Sequence, residues 1–412
     1  MRNSSTAARP AAGPRRSGPA RASDTANSPT AARPAAGPRR SGPERASDTA
    51  KCFALCLVLA TSACSRGTSP EDELPLDAGF DETMEALRVE HELSALAVGV
   101  LRDGQLVHAG AYGIADRRTN APAKVDSLFA LASVSKVFVG LAIARAIELG
   151  TPLDLDADIN TWLRWPTPLR HPDHPDTPIT LRQLVRHESA IASDGPDDYD
   201  TYPKPDPTGS LDAFLKALLA DPEYWTDTAP GEAEEYSNLG TALAALVVEK
   251  AVGRPFEDFC NAEVFGPLGM DDTRWFHREL DTDQRARLAR PQGLDGPLEH
   301  YGFPDWPSGQ LRSTIGDLAR AIHALTRSPV SGQTLLGPAN HRLFHETPLF
   351  IALDDGRYNH SGGESGVNTY LEYDTSGRGL IILTNQDLED DALDAMFDEV
   401  TATLRRFSNT TR

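Results

Sequence analysis

The chain has 412 residues, with 40 Lys/Arg against 60 Asp/Glu and a formal net charge of −20. That length is ample for a large domain with its own core. The charge is unevenly spread: residues 1–63 carry ten basic and three acidic residues, +7, which leaves −27 for the remainder. An acidic body of that size repels phosphates and argues against nucleic acid as a partner.

Residues 3–26 and 27–50 are a tandem duplication that differs only at Ser5/Pro29 and Ala20/Glu44. The unit is rich in Ala, Pro, Arg, Gly and Ser and cannot bury enough apolar surface to fold, so 1–50 is expected to be disordered. Lys51 then precedes an apolar stretch, Cys52–Cys64, too short to span a membrane as a helix and ending in small residues, the pattern of a secretory signal. Fifty-one residues ahead of such a signal are explained by a start assigned too far upstream; the other reading is a functional disordered basic arm. The end of the signal, Leu59-Ala60-Thr61-Ser62-Ala63-Cys64, resembles a bacterial lipobox, with Thr61 where Leu is usual. On that resemblance Cys64 becomes a lipidated first residue, and the protein is exported, periplasmic and membrane-anchored. Of the four cysteines only Cys260 then remains within the chain, so no intrachain disulfide is expected, and Cys260 reads as a small buried hydrophobe.

Residues 65–77 form a polar, acidic linker to a domain over 78–407. Phe80–Glu92 reads as an amphipathic helix. Ala95–Leu101 and Leu106–Tyr112 read as a hairpin across an Asp103-Gly104 turn. Phe129–Lys136 leads into an almost unbroken apolar helix, Val137–Ile147, closed by Gly150. The region 155–330 is mostly helix and loop, with helices expected from Leu181 to near His187, at Leu211–Leu219 and at Gly240–Ala251. Strands return at Asn368–Tyr373 and Leu380–Leu383, and Leu388–Phe407 closes the chain as a helix. The pattern predicts an α+β fold: an antiparallel β-sheet built from both termini, flanked by helices, plus an inserted helical region.

Chemistry concentrates in three segments. Ser133 and Lys136 form a Ser-x-x-Lys pair, three residues apart on one helix face. A serine hydroxyl needs a neighbouring base, and desolvation together with the helix dipole favours a neutral Lys136 that can supply one. The bland reading, a serine at a helix start with a solvated lysine, does not explain Lys136 between Val134 and Val137 at the threshold of an apolar helix. Tyr236, in Tyr236-Ser237-Asn238, is a second candidate base if its phenol lies near the lysine; taken alone it is a packed tyrosine. Asn238 could donate to a substrate carbonyl or to Lys136. His360-Ser361-Gly362-Gly363 is expected to open a strand, its glycines allowing close backbone approach. The amides of Gly363 and Ser133 could form an oxyanion hole. His171, Asp173, His174 and Asp176 alternate with prolines and read as a solvated loop, not a metal site. No Gly-x-Ser-x-Gly elbow and no phosphate-binding glycine loop is present.

These three segments, in this order, resemble those of the serine β-lactamase and D-alanyl-D-alanine carboxypeptidase family, in the branch with Tyr-x-Asn as second motif, which also holds related esterases. Pro178–His187 and Pro307–Thr314 with Asp317 are similar to further stretches of that family, and the likeness covers about 80–405. It implies a serine hydrolase working through an acyl-enzyme, with Ser133 as nucleophile, Lys136 and Tyr236 as base pair, and Asn238, His360, Gly362 and Gly363 as substrate-binding and oxyanion groups. It implies no cofactor and no metal. Substrates expected are D-alanyl peptides of the cell wall, small esters or β-lactams, in that order; the membrane is a partner only through the lipid. The alternative is a penicillin-binding sensor or scaffold with little turnover. The third motif departs from Lys-Thr-Gly, and Glu188 and Ala190 replace Thr and Gly of the family's His-Thr-Ser-Gly.

Overall fold

The computed structural model describes residues 79–192, 204–326 and 335–409. The repeat, the signal with Cys64 and the linker lie outside them.

Eleven strands are found among the described residues: β1 Ala95–Arg102, β2 Gln105–Asp116, β3 Ala121–Pro122, β4 Phe129–Ala130, β5 Gln292–Gly293, β6 Gly296–Pro297, β7 Arg312–Ser313, β8 Ala352–Asp354, β9 Arg357–Glu364, β10 Val367–Tyr373 and β11 Gly379–Thr384. Seven form an antiparallel sheet in the order β3-β2-β1-β11-β10-β9-β8. β1 pairs with β11, Leu96 opposite Thr384 through Leu101 opposite Gly379, so the two ends of the domain share one sheet as expected. The β1–β2 turn has Asp103 at φ 50° and Gly104 at φ 70°, the signature of the tight hairpin that Asp-Gly favours.

β1 is apolar from Ala95 to Leu101 because it is buried there on both faces. Leu96, Val98 and Val100 pack with Leu380 and Ile382 against Phe80, Met84 and Leu87 of helix Phe80–Glu90 and against Met396, Val400 and Leu404 of the terminal helix Asp390–Asn409. Ala95, Ala97 and Leu101 turn to the opposite face and a much larger core, which contains helices Ser135–Glu148 and Asn238–Val252. The period of two thus distributes one strand between two cores. Buried Glu372 of β10 accepts from the Arg405 guanidinium of the terminal helix at 2.9 Å.

Helix Ser135–Glu148 ends as its Gly150 predicted. Gly150 N–H donates to Ile147 O at 2.9 Å and Thr151 N–H to Ala146 O at 3.0 Å, the paired bonds of a Schellman end. Two helices, Ile315–Thr326 and Pro338–Glu346, were not anticipated. His171 is also not solvated: it is buried, its Nε2–H donates to Thr226 O at 2.8 Å, and its Nδ1 accepts from Asp173 N–H at 3.1 Å. Among the described residues no His/Cys/Asp/Glu group is disposed to hold a metal. Cys260 is a free, buried thiol whose pKa is pushed up by burial.

Candidate active site

Ser133 does not lie inside the apolar helix. It occupies a separate 3₁₀ turn, Ala132–Val134, immediately before Ser135–Glu148. Ala132, in front of it, has φ 46°, a left-handed conformation that costs a non-glycine residue about 1 kcal/mol or more. The turn is held from several sides. Upstream, β4 pairs with β7, Phe129 opposite Ser313, and Leu131 N–H donates to Leu311 O at 2.8 Å. Ser135 Oγ accepts from Leu311 N–H at 3.1 Å. These bonds bring the segment 308–313, with its chain neighbours, beneath Ser133.

Lys136 is fully buried. Its ammonium donates to Ser133 Oγ at 3.0 Å and to Ser308 O at 2.7 Å. Ser308 is itself fixed, its hydroxyl donating to Asp305 Oδ2 at 2.6 Å. The Tyr236 hydroxyl lies 2.8 Å from Ser133 Oγ, and Lys136 Nζ lies 4.9 Å from the Tyr236 ring centroid. One hydroxyl is therefore in direct reach of an amine and a phenol, as the spacing and order of the segments suggested. Ser237 caps helix Asn238–Val252 by accepting from Gly240 N–H at 2.9 Å; Asn238 is the first residue of that helix and is half-buried.

His360-Ser361-Gly362-Gly363 lies within β9 and does not open it. β8 pairs with β9 only as far as Asn359, so the segment past it keeps β10 on one side and the Ser133 turn near the other. Gly362 marks the closest approach: a Cβ there would sit 2.5 Å from Leu131 O and 2.9 Å from Ser133 N. No side chain fits. At Gly363 the nearest atom to a Cβ would be Asn368 Oδ1 at 3.5 Å, so Gly362 is the position that sterics reserve for glycine.

His360 differs from what its place in the motif suggested. Its Nδ1 lies 2.6 Å from Ser361 O; a carbonyl only accepts, so Nδ1 carries the proton, and in the neutral ring Nε2 is a bare acceptor. Burial, then the charge of Lys136, holds the imidazole down at about 4. At neutral pH it is uncharged, and it offers a substrate carboxylate neither a cation nor a second N–H.

Sequence reasoning passed over two contributors. Ser308 acts through its carbonyl, which no side-chain pattern reveals. His187 lies against Tyr236, ring centroids 4.7 Å apart; the sequence marks it only as a helix end and as part of two family-like stretches, with no role of its own. Its loop departs from regular backbone at His187, φ 58°, and at Ala190, φ 60°. Glycine suits such a conformation, and glycine is what the family's pattern carries at the position of Ala190.

Residues 80–403 match the family model described as Beta-lactamase. The chain belongs to the β-lactamase family. This family member is 35% identical over 62% of its length to esterase EstB of Burkholderia gladioli, covering 70% of that protein. It is 26% identical to penicillin-binding protein 4 of Amycolatopsis lactamdurans, over 76% of this chain and 86% of that one. Its fold matches a class C β-lactamase structure from Rhodobacter sphaeroides with a TM-score of 0.62, at 21% identity, over 78% of this chain and 98% of the other. It is a serine hydrolase of the acyl-enzyme type.

Proposed function

We propose that Ser133 is the nucleophile and that the favoured substrates are small esters, or amides, without a carboxylate beside the scissile bond. Once the Tyr236–Lys136 pair has released one proton to solvent, Ser133 Oγ attacks the carbonyl carbon while its own proton passes to that pair. The new C–O bond turns the carbonyl oxygen into an oxyanion, received by the Ser133 and Gly363 amides. As the tetrahedral centre collapses, the bond to the leaving group breaks and that group takes the proton from Tyr236. Water then attacks the acyl carbon and gives a proton to the same base, which returns it to Ser133 Oγ as the acid departs. Asn238 is assigned to orient the substrate carbonyl.

The observation that carries the substrate reading is the 2.6 Å approach of His360 Nδ1 to Ser361 O, which commits the ring's proton to that carbonyl; a pKa lowered to about 4, chiefly by burial, agrees with it. A lysine in that position would pair with the carboxylate of a D-alanyl peptide or β-lactam; an uncharged acceptor does not. Likeness to esterase EstB supports the same direction. Small uncharged esters therefore stand ahead of D-alanyl peptides, the reverse of the order taken from sequence. The test is kcat/KM for p-nitrophenyl butyrate, p-nitrophenyl hemisuccinate, nitrocefin and a D-alanyl-D-alanine peptide. Butyrate is expected to lead hemisuccinate by about tenfold or more, the scale of one lost charge-assisted bond. A peptide or nitrocefin preference overturns the reading.

We also propose export with lipid attachment at Cys64, supported by Lys51, the apolar stretch after it and the small residues before Cys64. Incorporation of a clickable palmitate analogue, lost in Cys64→Ala, tests it; labelling unchanged in that variant rejects it.

A further inference from the structure

Tyr236 precedes a helix, and something must fix its phenol 2.8 Å from Ser133 Oγ. The Ser237 cap secures the helix end but not the rotation of the segment before it. The two peptide N–H groups on either side of Tyr236 both go to one residue. Glu235 N–H donates to His187 O at 2.6 Å, and Ser237 N–H donates to His187 Nδ1 at 3.1 Å. Between those two bonds the imidazole lies against the phenol ring, centroids 4.7 Å apart and planes 33° from parallel. Phe350 backs the imidazole, with centroids 5.3 Å apart.

We infer that His187 is the positioning residue for Tyr236, gripping the chain before and after it and setting the plane of its ring. The inference rests on Tyr236 being the base named above. His187 touches no reacting atom in this account; it acts only through Tyr236.

The chemistry of the grip is specific. Nδ1 accepts, so the proton sits on Nε2 and the ring is neutral; an imidazolium has no acceptor to offer Ser237. Burial, with the charge of Lys136 and then His360 nearby, keeps the pKa of His187 down at about 3, which matches that role. The left-handed backbone at His187 fits it too: strain of this kind persists where the surroundings over-determine a residue.

The experiment is a double-mutant cycle on the full chain, read as kcat for p-nitrophenyl butyrate. His187→Phe keeps a ring face and removes the acceptor. In the parent it is expected to lower kcat about 10- to 100-fold with KM within threefold, the scale of a catalytic group displaced by about 1 Å. In a Tyr236→Phe background the same change is expected to cost less than threefold, because the group it positions is already gone. His187→Asn, which supplies an Oδ1 acceptor and tolerates the left-handed backbone, is expected to recover at least a third of parent kcat. The inference is overturned if the His187→Phe and Tyr236→Phe losses multiply, or if His187→Phe keeps kcat within threefold of the parent. Should His187→Phe not fold, His187→Asn and His187→Ala are read in the same cycle, and equal activity of the two overturns it. A Ser133→Ala control separates the premises: if that variant still turns over ester, the function proposed above fails first.

Discussion

At the scale of single residues, the proposed function comes down to Ser133 Oγ having two partners at 3.0 and 2.8 Å. Both donate to it in the resting arrangement, and catalysis requires the direction of proton transfer to reverse. Tyr236→Phe removes one of them without changing the packed ring. It is expected to lower kcat by about 10²–10⁴, the range for a lost general base. A loss below tenfold in a steady-state ester assay would mean that Lys136 activates Ser133 alone. Gly362 makes a separate demand. An alanine there pushes a methyl to 2.5 Å from Leu131 O and 2.9 Å from Ser133 N, so the Ser133 turn must shift from β9. Gly362→Ala is expected to cost about 10² or more in kcat, as for a displaced oxyanion donor. Retention of a tenth of parent activity would show that the turn and β9 need not be in contact.

At the scale of elements, the site is assembled from pieces whose ends are capped by the sequence itself. Helix Leu181–Val185, which delivers His187, starts with a full capping box: Thr180 Oγ1 accepts from Gln183 N–H at 3.2 Å, and Gln183 Oε1 accepts from Thr180 N–H at 2.8 Å. Thr180→Ala is expected to cost about 1 kcal/mol in urea unfolding, with kcat falling more than KM rises. A change in stability below 0.3 kcal/mol would remove the cap from this account. The long elements were legible in sequence because each obeys one period: β1 with its apolar run, the Val137–Ile147 stretch, and the closing amphipathic helix. Ser133, Lys136 and Tyr236 were legible because side chains able to do this chemistry stand at recognisable spacing. The rest was hidden for physical reasons. Ser308 contributes a carbonyl, His187 contributes a lone pair fixed by a distant amide, and the tautomer of His360 depends on the carbonyl of Ser361 in the folded strand. None of these has a sequence signature. The helices Ile315–Thr326 and Pro338–Glu346 have no reading of their own from sequence.

At the scale of the whole molecule, several histidines, one buried and three half-buried, make the fold sensitive to acid. His187 and His300 are held down at about 3, and His345 and His360 at about 4, in each case mainly by burial. Unfolded, each takes a proton near pH 6.5; folded, each takes it only well below. Unfolding therefore binds protons across that window, and stability falls as pH falls from about 6.5 towards 4. Carboxylates such as Asp317 and Asp387, raised by desolvation, act in the opposite sense, but the histidines, drawn from 6.5 down to about 3 or about 4, are the larger effect. Each histidine contributes at most about 1.4 kcal/mol per pH unit. Urea midpoints are expected to drop steadily between pH 6.5 and 4.5; a flat or rising profile would mean that these rings are not neutral in the fold. The terminal helix depends on the same logic of burial. Its apolar face covers Leu96, Val98 and Val100, so both ends of the domain stand or fall together.

The most direct test of the central claim is covalent capture. The protein is treated with a fluorophosphonate, digested, and the adduct mapped by mass spectrometry, beside ester turnover by parent and Ser133→Ala. This account predicts one adduct, on Ser133, with both labelling and hydrolysis abolished in Ser133→Ala. An adduct elsewhere, or undiminished ester hydrolysis by Ser133→Ala, would contradict it.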